Sequence, residues 1–166
     1  MPYVENRVVH DADSHLMEMS DCLDAYLDPK FRAAYDELPK LKQWPRDGQL
    51  VKWANARQDD PEFRSSADAN ILLRKNYEAM GAFRPADRPR ALDLLGFSSQ
   101  LIFTTWCLGN FGTEESGRIE LAYATAQAHN RMMVDFCSVD RRFLATGYVP
   151  LADLERAPKT AREAID

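Results

Sequence analysis

Side chains able to hold a metal ion crowd a short stretch near the N-terminus, Val8-Val9-His10-Asp11-Ala12-Asp13-Ser14-His15-Leu16-Met17-Glu18. In an extended strand alternate side chains share a face. Asp11, Asp13 and His15 are therefore expected on one side, with Ala12 and Ser14 on the other. A carboxylate and an imidazole two residues apart on a strand both reach one divalent ion, and Glu18 lies within a short loop's reach as a third ligand. Oxygen and nitrogen donors without a thiolate suit zinc, manganese or a similar ion. The plainer use of Asp and His near a strand end is bonding to turn backbone or facing water. Position strengthens the ligand reading. The cluster directly follows Val8-Val9, where a strand would leave the core, and strand ends are where α/β folds carry their chemistry.

The elements that must position this cluster alternate along the chain. Residues 7–15 read as a first strand. Residues 20–90 form a polar excursion punctuated by Pro29, Pro39, Pro45, Pro61, Pro85 and Pro89. It is expected to hold a short helix within Asp21–Tyr35, broken at Pro29, and another over Ser66–Met80. Trp44 and Trp53 could line a substrate pocket, though packing the excursion onto the body is their simpler use. Arg84–Leu95 reads as a helix with Gly96 as its C-cap. The apolar run Gln100–Trp106 reads as a buried second strand. Cys107–Gly117, with three glycines, reads as a loop in which Thr113 or Ser116 caps the next helix. Arg118–Cys137 is the clearest helix, with Ile119, Ala122, Tyr123, Ala126, Met133 and Phe136 on one face. Asn130 shares that face and, needing partners if buried, is expected to tie the helix to a neighbouring loop; His129 reads as a helix-surface residue. Phe143–Leu151 reads as a third strand closed by Pro150, and Leu154–Asp166 as a further helix. Strand–helix alternation of this kind builds a parallel sheet covered by helices.

Bulk properties narrow the function. The 166 residues suffice for one domain with a real core. Net charge is -5, and the basic residues are scattered rather than clustered. That argues against nucleic acid as a partner and gives no support for an anionic membrane surface. No apolar run approaches the roughly 20 residues of a membrane span. Cys22, Cys107 and Cys137 lie far apart, are odd in number and form no C-x-x-C pair, so a disulfide framework is not expected and a reducing compartment fits better. With no apolar leader, the chain reads as cytoplasmic. No glycine follows the first strand in Ser14-His15-Leu16-Met17-Glu18, which argues against a small nucleotide-binding α/β module.

Val9-His10-Asp11-Ala12-Asp13-Ser14-His15-Leu16-Met17-Glu18 resembles the first-strand signature of the amidohydrolase-related family, in the branch that includes aminocarboxymuconate-semialdehyde decarboxylase. Gly81-Ala82-Phe83-Arg84-Pro85 through Leu95-Gly96-Phe97 resembles the helix before its second strand. Ala128-His129-Asn130-Arg131 through Phe136-Cys137, then Asp140-Arg141-Arg142-Phe143, resembles its next helix and the entry to its third strand; Tyr148-Val149-Pro150-Leu151 is similar to the strand end. The resemblance implies a (β/α)8 TIM barrel of which residues 1–166 are the N-terminal portion, with a long excursion after the first strand. It implies a divalent metal, zinc or manganese, held by Asp13 and His15, with Glu18 as a further ligand or as the group orienting His15. In this chain Asp13 stands where the family usually has the first histidine of an H-x-H pair. The remaining ligands and the catalytic residues would lie beyond Asp166. The implied activity is hydrolysis of a C–O or C–N bond or cleavage of a C–C bond, on a small organic acid or related substrate. Arg84, Arg88 and Arg90 could hold a substrate carboxylate, but are read more simply as surface residues of a helix. The alternative is a non-catalytic barrel fragment that needs a complementary C-terminal half. Three barrel strands alone leave an unpaired edge and half-covered apolar faces, so association, including homo-oligomerisation, is expected.

Overall fold

The computed structural model describes residues 2–38 and 48–165, with Asn110 and Phe111 described by their backbone alone. Trp44 lies outside the described residues. Three parallel strands, β1 (His10–His15), β2 (Ser99–Phe103) and β3 (Phe143–Ala145), form one sheet in the order β1-β2-β3. The fold is mixed α/β. Each strand is shorter than the sequence suggested; β3 stops at Ala145, well before Pro150.

Helices α4 (Arg88–Leu95) and α5 (Ile119–Cys137) cover one face of the sheet. Leu92, Ile102, Met133, Phe136 and Phe143 meet there in a single apolar core. Full burial of such side chains stabilises the fold by about 1.5–3 kcal/mol each. Gly96 ends α4 in the left-handed region (φ 75°), as its sequence position implied. A Cβ there would sit 2.1 Å from the Val4 carbonyl oxygen, so the N-terminal segment can cross the helix end only over a glycine. Strand β2 is not buried on both faces. Gln100 and Ile102 are buried under the helices, while Leu101 and Phe103 are half-buried on the other face and the adjacent Leu144 is 50% exposed.

The excursion departs from the expected pattern. Among the described residues its α-helices are α1 (Arg32–Asp36), α2 (Gln49–Asp59) and α3 (Pro61–Ser65). Asp28 caps a 3-10 turn at Pro29–Phe31, so Pro29 starts a turn rather than breaking a helix. Asp60 caps α3 by accepting from the Glu62 and Phe63 N–H groups, with Pro61 in the first turn. Ser66–Met80 is not a helix. The Asn70 side chain donates to Ser66 O, and Ser66 Oγ donates to Phe63 O and accepts from Arg74. Polar side chains there bond backbone groups that a helix would need, and the segment folds as successive turns.

Neither Thr113 nor Ser116 caps α5. Ser116 Oγ donates back to Thr113 O within 3-10 turns that span Cys107–Ser116. Helix α5 packs on β3, on α1 and on those turns, and is therefore buried well beyond the single face read from sequence. His129 is a correction: it is 2% exposed, not a surface residue. No helix among the described residues is long and apolar enough to cross a membrane.

Candidate functional site

The site is set by an irregularity in β1. His10 and Asp11 pair with Ser99 and Gln100, but Ser14 and His15 pair with Ile102 and Phe103, so one extra residue is inserted between Asp11 and Ser14. Such a bulge re-aims side chains. Asp11 and Ser14 consequently turn to the helix-covered side, and Asp11 does not share a face with Asp13 and His15 as strict alternation predicted. Asp11 Oδ2 accepts from Gln100 Nε2 (3.1 Å), and its Oδ1 accepts from the Asp13 N–H (3.1 Å).

Beyond the bulge Asp13 and His15 come together on the open side, with Oδ1 of Asp13 3.4 Å from Nε2 of His15. The Asp13 side chain is 91% exposed and that of His15 is 42% exposed. The other ring nitrogen, Nδ1, lies 3.1 Å from Thr104 O and 3.2 Å from Thr105 Oγ1. A carbonyl oxygen only accepts, which assigns the proton of the neutral ring to Nδ1. In that neutral form Nε2 presents a lone pair toward a carboxylate that also only accepts. The separation exceeds the roughly 2.7–2.9 Å of a charged N–H···O⁻ hydrogen bond. It matches the edge, about 3.3–3.4 Å, of a tetrahedron whose bonds are the 2.0–2.1 Å of zinc to nitrogen or oxygen. Two donor atoms at this separation, one of them on a ring whose other nitrogen lies against a carbonyl, suit a divalent cation.

Glu18 is placed elsewhere. It is 1% exposed, and its two oxygens face the backbone of the loop after β2. Oε1 accepts from the N–H groups of Thr105 (3.0 Å) and Cys107 (3.1 Å); Oε2 accepts from those of Thr105 (3.0 Å) and Trp106 (3.0 Å). Burial pushes its carboxyl above the ordinary range, while the loop N–H groups pull the other way. Glu18 thus holds the loop whose Thr104 and Thr105 hold His15. Among the described residues no group of three or more His, Cys, Asp or Glu gathers in a way that could hold a metal, so the pair stands without Glu18.

Arg88 was read as a helix-surface residue, and the structure corrects this. It is 5% exposed. Its guanidinium donates to Gln100 Oε1 (3.2 Å), His15 O (3.0 Å), Gly81 O (3.1 Å) and Ser14 Oγ (2.7 Å). Burial pulls its pKa down to about 10. The Gln100 amide relays between this cation and Asp11, an arrangement that eases the cost of burying both charges. Gly81, at φ 70°, lets the returning excursion pass against the Arg88 backbone, where a Cβ would lie 2.5 Å from its Cα. Arg88 therefore fixes the end of β1 from behind. Arg84 bonds Asp59 and Asn55, and Arg90 bonds Asp68; neither is aimed at the pair. Trp53 is 49% exposed on α2.

Asn130 does what its helical face implied. Its Nδ2 donates to Tyr148 O (2.9 Å), and its Oδ1 accepts from the Tyr148 N–H (2.7 Å), which ties α5 to the chain after β3. His129 Nδ1 lies 3.0 Å from the same Oδ1. Glu114 repeats the Glu18 device after β3, accepting from Tyr148 Oη and from the Leu151 and Ala152 N–H groups. Sequence reasoning missed both clamps and Arg88, since a carboxylate or guanidinium that bonds distant backbone leaves no local pattern.

A scan against protein-family models gives no match for this chain, and no curated protein matches it.

Proposed function

We propose that this chain carries the cation-binding mouth of a metal-dependent hydrolase or decarboxylase of the amidohydrolase-related kind, built as the N-terminal portion of a (β/α)8 barrel. The observation that carries the reading is the facing pair of acceptors, Asp13 Oδ1 and His15 Nε2, at 3.4 Å, with the opposite ring nitrogen bonded to Thr104 O. Asp13 and His15 would hold the ion, and a divalent cation there supplies Lewis-acid polarisation of a substrate oxygen. The rest is done by the chain. Thr104 O fixes the ring tautomer, Glu18 fixes the loop that carries Thr104, and Arg88 fixes the β1 terminus through His15 O. The half-buried Phe103 beside the His15 ring, 6.0 Å between centroids, offers an apolar wall to a small organic substrate. The resemblance places the remaining ligands, and the groups that move protons, on later strands of the barrel.

Calorimetric titration of zinc or manganese into the purified chain tests the reading. One ion per chain is expected, with the isotherm lost in Asp13→Ala and in His15→Ala. A flat wild-type titration, or binding unchanged in both variants, would overturn it.

A second reading is a non-catalytic half-barrel that needs a complementary half. It is favoured by the open sheet face around Leu101, Phe103 and Leu144 and by the edge positions of β1 and β3. The two readings diverge on whether Asp13 and His15 bind an ion in the chain by itself.

A further inference from the structure

We propose that Cys22 and Cys107 form a reversible redox pair, a modification site for oxidants of the peroxide class that joins the loop after β1 to the loop after β2. The two are 85 residues apart, yet their Sγ atoms lie 3.9 Å from each other. A disulfide needs about 2.05 Å between sulfurs, and each Sγ moves by rotation about its own Cα–Cβ bond. Access is asymmetric. Cys107 is 1% exposed, and its N–H is held by Glu18. Cys22 is half-buried and lines a cavity of about 270 Å³ with Leu16, Met19, Tyr26 and Phe136. A molecule as small as hydrogen peroxide can reach the Cys22 sulfur from that cavity.

The chemistry balances with peroxide as the only co-reactant. The Cys22 sulfur attacks one peroxide oxygen, the O–O bond breaks, and Cys22 becomes a sulfenic acid as one water forms. The Cys107 sulfur then attacks the Cys22 sulfur. The S–S bond forms, the S–O bond breaks, and the hydroxyl leaves with the Cys107 proton as a second water. Two thiols are oxidised by two electrons and one peroxide is reduced. The bond would lock the segment that carries Thr104 and Thr105, and with it the anchor of the His15 ring. None of this depends on the metal reading.

The experiment treats the reduced full chain with hydrogen peroxide, alkylates free thiols with N-ethylmaleimide in denaturant, digests with trypsin and weighs the peptides. The expected product is the Cys22 peptide joined to the Cys107 peptide, two hydrogens lighter than the separate pair, with Cys137 alkylated. Its melting temperature should lie above that of the reduced chain and return on adding dithiothreitol. Cys107→Ala should leave Cys22 as a sulfenic acid that dimedone captures. Cys22 overoxidised to sulfinic acid beside an alkylatable Cys107 would overturn the proposal. So would links that run only between chains, or a link to Cys137.

Discussion

Replacing Glu18 by Gln isolates what holds the mouth of the sheet together, because the substitution keeps shape while it exchanges one acceptor for a donor and removes the charge. In the native clamp each carboxylate oxygen accepts two loop N–H groups, and the Thr105 N–H is shared between them. Gln offers one oxygen and one NH2. With its oxygen in the Oε1 position it keeps Thr105 and Cys107 and turns a donor on the Trp106 N–H; in the Oε2 position it keeps Thr105 and Trp106 and confronts Cys107. One buried N–H is orphaned either way, at about 1–3 kcal/mol. The retained bonds become neutral, losing roughly a further 1 kcal/mol between them. Relief from burying the charge offsets part of this, since burial already pushes the Glu18 carboxyl up. The net expectation is about 2–3 kcal/mol of destabilisation, or roughly a 1–1.5 M drop in urea midpoint for an m-value near 2 kcal/mol/M. Urea unfolding followed by circular dichroism measures it. A midpoint within about 0.3 M of wild type would refute the clamp as the element that fixes the loop after β2.

Other perturbations test neighbouring parts. Burial holds the His129 imidazole below its ordinary value, so on acidification the unfolded chain takes up the proton first. Stability is then fully present above pH 6.5 and is lost as pH falls through the lower folded value; His129→Gln should flatten that loss in denaturation curves taken between neutral pH and pH 5. Arg88→Met strips the donor from four acceptors and should cost about 3–5 kcal/mol, read by urea midpoint; a loss under about 1 kcal/mol would mean the guanidinium is not what braces β1. The open face around Leu101, Phe103 and Leu144 should drive association at high concentration, and a monodisperse monomer in sedimentation velocity would contradict the half-barrel reading.

What could be read in advance followed from local pattern. The strand cores, the glycine end of α4 and the tie made by Asn130 depend on composition, on a φ that only glycine adopts readily, and on a polar group that must find partners in an apolar face. Strand alternation also put Asp13 and His15 on one side, and the structure has Oδ1 and Nε2 3.4 Å apart. The rest depends on what lies across the fold. The bulge that separates Asp11 from them is a register mismatch with β2, and register belongs to a pair of strands. Glu18 reads as a further ligand or as the group orienting His15, and nothing local says that its oxygens meet N–H groups some 87 residues away. His129 is buried on a helix that the Cys107–Ser116 turns, α1 and β3 all pack on, a covering its own periodicity does not encode. Helix α2 carries an exposed Trp53 and a buried Gln58, the inverse of an amphipathic signal, while the more helix-like Ser66–Met80 has polar side chains that capture its backbone.

In the proposed site Nδ1 of His15 carries the proton, and Nε2 presents a lone pair that, with Asp13 Oδ1, meets a divalent cation. Imidazole nitrogen-15 shifts of His15, recorded for the neutral ring with and without zinc, measure it directly. The Nδ1–H tautomer is expected in the free chain, with a zinc-dependent shift confined to Nε2 and absent in Asp13→Ala. An Nε2–H tautomer, or His15 signals indifferent to zinc, would contradict it.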